Sequence, residues 1–189
     1  MLQQAMELVV PSLDRLDAYA DALRRGWSAD NIRLEVAARE ELAKIGSDPA
    51  AFVASLDDRE AKGGPVTMPD GSQVPRLPGY RRWIWDEDFC GSIGFRWQKG
   101  TSALPPYVLG HIGYAVVPWK RQRGYATRAL ALLLQDARRE GLDHVTLTTD
   151  FDNEPSQKVI LANGGVLVER FNSGPAYGNK EHLRWRIAL

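Results

Sequence analysis

The chain has 189 residues, and its 24 Lys plus Arg balance 24 Asp plus Glu to zero formal net charge. With 44% hydrophobic and 25% charged residues it can build one domain with a sizeable core, which excludes a disordered chain. The neutral balance gives no general attraction to nucleic acid or to an anionic membrane, so neither is an expected partner.

The first eleven residues show no basic leader followed by a long apolar core, and no apolar run reaches the roughly 18 residues of a membrane helix, so a cytoplasmic location is expected. Met6 to Val10 predicts a short strand. Ser12 then stands as a cap before Leu13, Leu16, Tyr19, Ala20 and Leu23, whose spacing predicts an amphipathic helix. Asn31 to Ile45 predicts a second, with Ile32, Leu34, Val36, Leu42 and Ile45 as its apolar stripe, and Pro49 opens a third over Asp48 to Leu56. From residue 60 to 80 the glycines and prolines argue for an irregular insertion or hairpin near an acceptor cleft, within the same domain.

Tyr80 to Asp86 and Phe89 to Trp97 read as strands joined by the turn Asp86-Glu87-Asp88, although Gly91 and Gly94 weaken the second. Cys90, the single cysteine, excludes an intramolecular disulfide and a multi-cysteine zinc cluster and reads as a structural thiol. Tyr107 to Val117 predicts the next strand, stopped by Pro118. A helix over Tyr125 to Glu140 ends at Gly141. His144 to Thr149, a helix over Glu154 to Ala162, Gly165 to Arg170, a polar loop and His182 to Ala188 follow. This order predicts a mixed α/β fold, one central mixed sheet covered by helices.

The most informative stretch runs from His111 to Arg128. A strand ends at Pro118, a cationic loop follows, and a helix starts close to Gly124, so unpaired backbone N–H groups face the loop at the positive end of the helix dipole. This is an anion cradle, unless it is an ordinary basic turn. Gly124 lets backbone approach phosphate oxygens, and Arg121 and Arg123 add charged donors. Neither the nucleotide loop GxxxxGK[ST] nor the dinucleotide fingerprint GxGxxG is present.

Arg121-Gln122-Arg123-Gly124-Tyr125-Ala126 resembles the pyrophosphate loop of the GNAT superfamily of acyl-CoA-dependent N-acyltransferases: Gln or Arg, two residues, Gly, one residue, then Gly or Ala. Val116-Val117-Pro118 before it, the apolar helix after it, and the segment from Asp152 to Gly165 are similar to the family's pattern as well. The resemblance implies a single-domain GNAT fold with a splayed sheet and acetyl-CoA as co-substrate, without metal. It also implies that the amides of Arg123, Gly124, Tyr125, Ala126 and Thr127 hold the pyrophosphate and that Val116 and Val117 bond the pantetheine arm. Asn153 and Ser156 are implied near the arm or the departing sulfur and Lys158 near a phosphate; their other reading is capping of the following helix.

The implied reaction is direct acetyl transfer to a primary amine through a tetrahedral intermediate, with no acyl-enzyme. Many family members place a proton-donating Tyr in the helix after the second segment, but Lys158 to Ala162 holds none. Tyr177 and Ser156 are the substitutes. His111 is a candidate base by its ordinary pKa. Strand alternation sets His111, Gly113 and Ala115 on one face and Ile112, Tyr114 and Val116 on the other, so Tyr114 replaces His111 if its face lines the cleft. His144 and His182 have weaker cases. Asp86 to Asp88 beside the cleft would favour a cationic amine, and otherwise form a solvated turn. A small-molecule amine is expected in preference to a protein amine. The six Trp residues read as core or homodimer contact. The alternatives are a longer acyl-CoA, a non-catalytic acyl-CoA sensor, and nucleic-acid binding through Lys120, Arg121 and Arg123, the last disfavoured by the zero net charge.

Overall fold

The computed structural model describes residues 6–189; Met1 to Ala5, part of the stretch read for a leader, lie outside the described residues. The N-terminal elements are β1 (Glu7–Val9), α1 (Leu16–Arg24), α2 (Leu34–Ser47) and α3 (Pro49–Ser55). Three short pieces, β2 (Asp57–Asp58), β3 (Val66–Thr67) and β4 (Gln73–Val74), lead to the long hairpin β5 (Gly79–Asp86) and β6 (Asp88–Arg96). Then come β7 (Ile112–Val116), α4 (Tyr125–Arg139), β8 (His144–Asp150), α5 (Glu154–Ala162), β9 (Val166–Asn172) and β10 (Glu181–Ala188).

The mixed α/β fold with a splayed centre is what the elements build, but the single mixed sheet becomes two. Strands β1-β5-β6-β7, with β2 on β5, form one sheet and β8-β10-β9 another, and every described ladder is antiparallel. The break falls between β7 and β8. They meet where His111 N–H donates to Thr146 O at 2.8 Å, and beyond that point they share no ladder.

Two apolar layers sandwich the first sheet. On one face Ile84, Ile93 and Phe95 pack against Leu130 and Leu133 of α4, and this core continues into Leu147, Trp185 and Ile187 of the second sheet. On the other face Trp83, Phe89 and Val117 pack under α1 to α3. Tyr19 stacks on Trp83 there, with centroids 5.0 Å apart. Trp27, Trp83, Trp97 and Trp185 are therefore core, and arginines cover Trp85 and Trp119.

Three local expectations are corrected. The α2 stripe holds only in its second half, where Leu42 and Ile45 pack against the core, because Asp30 Oδ1 accepts from Ile32 and Arg33 N–H and delays the helix to Leu34. Ile32, Leu34 and Val36 are then exposed while Ala37 and Ala38 are buried. Ser12 gives no cap bond, and a 3-10 turn over Leu13–Arg15 precedes α1. The strand expected from Tyr107 begins only at Ile112, since Pro105 and Pro106 impose a turn closed by Val108 N–H on Pro105 O. The helix opened by Pro49 is present over Pro49–Ser55, and Asp48 caps it by accepting from Ala51 N–H.

Gly91 sits at a bulge in β6, where Ile84 pairs with Gly91 and Trp85 with Phe89. Its φ is +154°, and a Cβ there would lie 2.3 Å from Ala115 O. A Gly91→Ala chain should lose about 3 kcal/mol of stability through overpacking and strain. Denaturant unfolding reads this directly, and an unshifted midpoint would show that β7 yields freely.

Candidate functional site

The splay between β7 and β8 opens a cleft of about 1040 Å³ that runs from the α4 loop, through the gap between the strands, to Tyr177. Its loop end follows from backbone geometry. A 3-10 turn over Pro118–Lys120 is followed by Gln122 at φ 63° and Gly124 at φ 77°, so the chain enters α4 in a left-handed conformation. Gly124 carries no side-chain cap, and the first helical bond is Arg128 N–H to Gly124 O. The N–H groups of Tyr125, Ala126 and Thr127 therefore stay free of helical partners and open into the cleft. Asp86 Oδ2 accepts from Tyr125 OH at 2.6 Å, which anchors the first helical residue to the β5–β6 turn and holds that phenol up to about 12.

Strand parity decides which backbone groups of β7 are available. Arg96 N–H donates to His111 O and Val117 N–H donates to Cys90 O, which makes these the hydrogen-bonded pairs of the antiparallel ladder. Gly113, Ala115 and Val117 are thus committed to β6, His111 gives its C=O to β6 and its N–H to Thr146 O, and Ile112, Tyr114 and Val116 direct N–H and C=O toward the cleft. Val116 fits a strand-edge role. Val117 does not: its N–H is taken and its side chain is fully buried against Trp83. Two outward carbonyls have internal donors, Asn31 Nδ2 on Tyr114 O at 3.1 Å and Arg121 Nε on Val116 O at 3.3 Å.

The first turn of α5 forms the opposite wall. Asn153 Oδ1 caps it by accepting from Ser156 N–H, and both residues also border the cleft. Tyr114 OH donates to Ser156 O at 3.3 Å, and burial pushes its pKa up to about 12. Tyr177, brought in by the loop before β10, donates to Tyr107 O at 2.8 Å, and burial raises its pKa too. Asn163, not singled out in the sequence, ties the end of α5 to the start of α4 through Thr127 O at 3.1 Å.

Several expected residues do not join the site. Lys158 points to solvent and pairs with Glu154 at 4.0 Å. Asp86 and Asp88 serve α4 and Lys120, and Glu87 is the turn residue at φ 59°, so the acidic run does not line the cleft. Lys120 borders the loop end of the cleft but is turned inward toward Asp88 and Cys90, which removes it from a basic surface. Cys90 is fully buried and its thiol is raised by that burial, as a structural role requires. His144, on the second sheet, lies outside the cleft, whereas His182 of the same sheet borders it beside Asp150, with 3.2 Å between Nδ1 and Oδ1.

His111 is corrected from base to structural link. It is fully buried, and its Nδ1 accepts from Thr146 N–H at 2.9 Å, leaving the proton on Nε2, which has no partner. Burial lowers its pKa to about 4. The folded pKa thus lies below the unfolded 6.5, so between these values the unfolded chain binds more protons and stability falls as pH drops from about 6.5 to 4. About 3 kcal/mol should be lost across that window. A pH series of denaturation midpoints with His111→Gln as control tests this, and equal slopes would remove the linkage.

A protein-family model for an acetyltransferase (GNAT) domain matches residues 23–166. The chain belongs to the GNAT acetyltransferase family. Solved structures agree on the GNAT fold. The microcin C7 self-immunity acetyltransferase MccE, in complex with acetyl-CoA and AMP, is 14% identical with a TM-score of 0.64, covering 98% of this chain and 93% of that one. RimL, a ribosomal L7/L12 α-N-protein acetyltransferase in complex with coenzyme A, is 12% identical with a TM-score of 0.63, covering 100% and 97%. A putative GNAT-family acetyltransferase from Bordetella pertussis is 16% identical with a TM-score of 0.59, covering 100% and 98%. No curated protein matches the sequence. Among the described residues of this GNAT domain, no group of three or more His, Cys, Asp or Glu is arranged to hold a metal ion.

Proposed function

We propose that this GNAT chain transfers the acetyl group of acetyl-CoA to a primary amine of a small molecule. The observation that carries this reading is the uncapped start of α4, open onto a cleft that continues through the β7–β8 splay. Free N–H groups at a helix N-terminus favour an anion, so the backbone of Arg123 to Thr127 suits the pyrophosphate, with Arg121 and Arg123 adding charge. Between the strands, the outward edge of β7 suits the amides of the pantetheine arm.

In this reading Val116 N–H, directed into the gap, stabilises charge developing on the thioester oxygen. The amine nitrogen adds to the acetyl carbon to form the tetrahedral intermediate, and the carbon–sulfur bond then breaks as the carbonyl re-forms. The amine proton leaves to solvent, because His111 offers no free lone pair. The sulfur takes a proton from Tyr114 OH, which solvent replaces. A raised pKa keeps that phenol protonated through the neutral range, so it can donate. Tyr114 thereby fills the place of the Tyr missing from α5, which weakens the reading of a non-catalytic sensor. The β3–β4 hairpin supports a small acceptor, since Val66 and Met68 close over the cleft and a neighbouring cavity.

Calorimetric titration with acetyl-CoA, with ATP as the control nucleotide, tests the reading. Selective acetyl-CoA binding is expected, and a folded sample that binds neither would overturn it.

A further inference from the structure

A second cavity of about 320 Å³ adjoins the cleft on the sheet face opposite α4. Its floor is the cross-strand pair Gly94 and Gly113. Cross-strand partners share a face, and that face also carries Arg81, the β5 partner of Gly94, and Arg96, two residues further along β6. A Cβ at Gly113 would meet nothing within 4 Å, so the missing side chain is what leaves the floor open.

The two guanidinium groups differ. Arg81 Nη1 donates to Glu41 Oε1 and to Tyr19 OH, each at 2.9 Å, so its charge is balanced. Arg96 donates through Nε to Gly110 O at 3.1 Å, which sets the plane of the group, and it makes no ion pair among the described residues. Arg96 is exposed and lines the cavity; desolvation by the surrounding protein pulls its pKa below the usual arginine value, against the opposing charges of Tyr177 and Asp30. Asp58, the one carboxylate lining the cavity among the described residues, is occupied by Lys62 and Gly63 N–H at 2.8 and 2.9 Å and by Arg76 at 3.8 Å.

We propose that this cavity takes the acceptor, and that Arg96 selects an amine that also carries a carboxylate, as a free amino acid does. The inference rests on the acyl-transfer reading. A guanidinium whose Nη groups have no hydrogen-bond partner among the described residues matches a carboxylate with two parallel bonds, and one cation with the Asp30 charge nearby fits one negative charge better than a phosphate dianion. Arg96 faces His111 across the ladder, three residues or about 10 Å along the chain from Tyr114. The arginine side chain and an amino acid bridge that span together, bringing the amine to the splay.

Calorimetry at saturating coenzyme A reads the pocket without turnover. The probes are N-acetyl amino acids with aliphatic, aromatic, acidic and basic side chains, each beside its carboxamide, and O-phosphoethanolamine. At least one acid should bind 10-fold or more tightly than its carboxamide. Arg96→Gln should erase that difference with the thermal midpoint retained, and Gly113→Leu should abolish binding of both. Equal binding of acids and amides, no binding at all, a preference that survives Arg96→Gln, or tighter binding of O-phosphoethanolamine overturns the proposal. Acid preference in a protein that releases no coenzyme A from acetyl-CoA and the free amino acid leaves the pocket as argued and removes the transfer reading instead.

Discussion

Replacing Gly124 with valine should weaken acetyl-CoA binding by roughly 100-fold, or about 3 kcal/mol, while the domain stays folded. Gly124 adopts φ 77°, and a Cβ there would meet no protein atom within 4 Å, so the folded chain has room for the side chain. The cost to the fold is the left-handed backbone, about 1–2 kcal/mol for an L-residue and somewhat more for a β-branched one. The cost to the ligand is larger. The added atoms project beside the free N–H groups of α4, and each charge-assisted bond lost there is worth about 1.5–3 kcal/mol. Calorimetry with acetyl-CoA, paired with a thermal melt, separates the two terms. A small drop in midpoint with unchanged affinity would remove the loop from the cofactor site.

Tyr114→Phe should lower kcat by about 100-fold or more, in the range of general acid catalysis, with KM for acetyl-CoA nearly unchanged. The variant keeps the ring packed against the core and loses only the hydroxyl, which reaches the first turn of α5. A phenol raised to about 12 is protonated throughout the ordinary assay range, so the wild-type rate should show no alkaline decline from this group below about pH 11. The test is a pH–rate profile of thiol release for wild type, Tyr114→Phe and Tyr177→Phe. A full rate in Tyr114→Phe with a collapsed rate in Tyr177→Phe would move the proton donor to the acceptor side.

The parts of this fold legible in sequence are those specified within a few residues. The loop from Arg121 to Ala126 carries its own geometry, because a glycine before an apolar helix and a run of cations can be recognised without knowing what lies opposite. The β5–β6 hairpin is equally local. What stays hidden depends on register. Nothing near Val116 and Val117 reveals which one faces β6; that parity is set by Arg96 pairing with His111 across the sheet. Gly94 and Gly113 likewise become a pocket floor only once their strands align. His111 misleads for a related reason, since its ordinary pKa describes a histidine in water and the burial that removes it from catalysis is a tertiary effect. On α2 the apolar period is real, but the turn at Asp30 rotates Ile32, Leu34 and Val36 away from the core.

The two internal donors on the free edge of β7 bear on both sites. A pantetheine arm that docks on Tyr114 O must exchange a bond with Asn31, so the net enthalpy of docking there is small. Releasing Asn31 loosens the same short segment whose Ala29 borders the Arg96 cavity. The cleft and the Arg96 cavity are therefore bordered by one short segment. A ligand that displaced Asn31 at one site would change affinity at the other, and by reciprocity the factor would be the same in both directions.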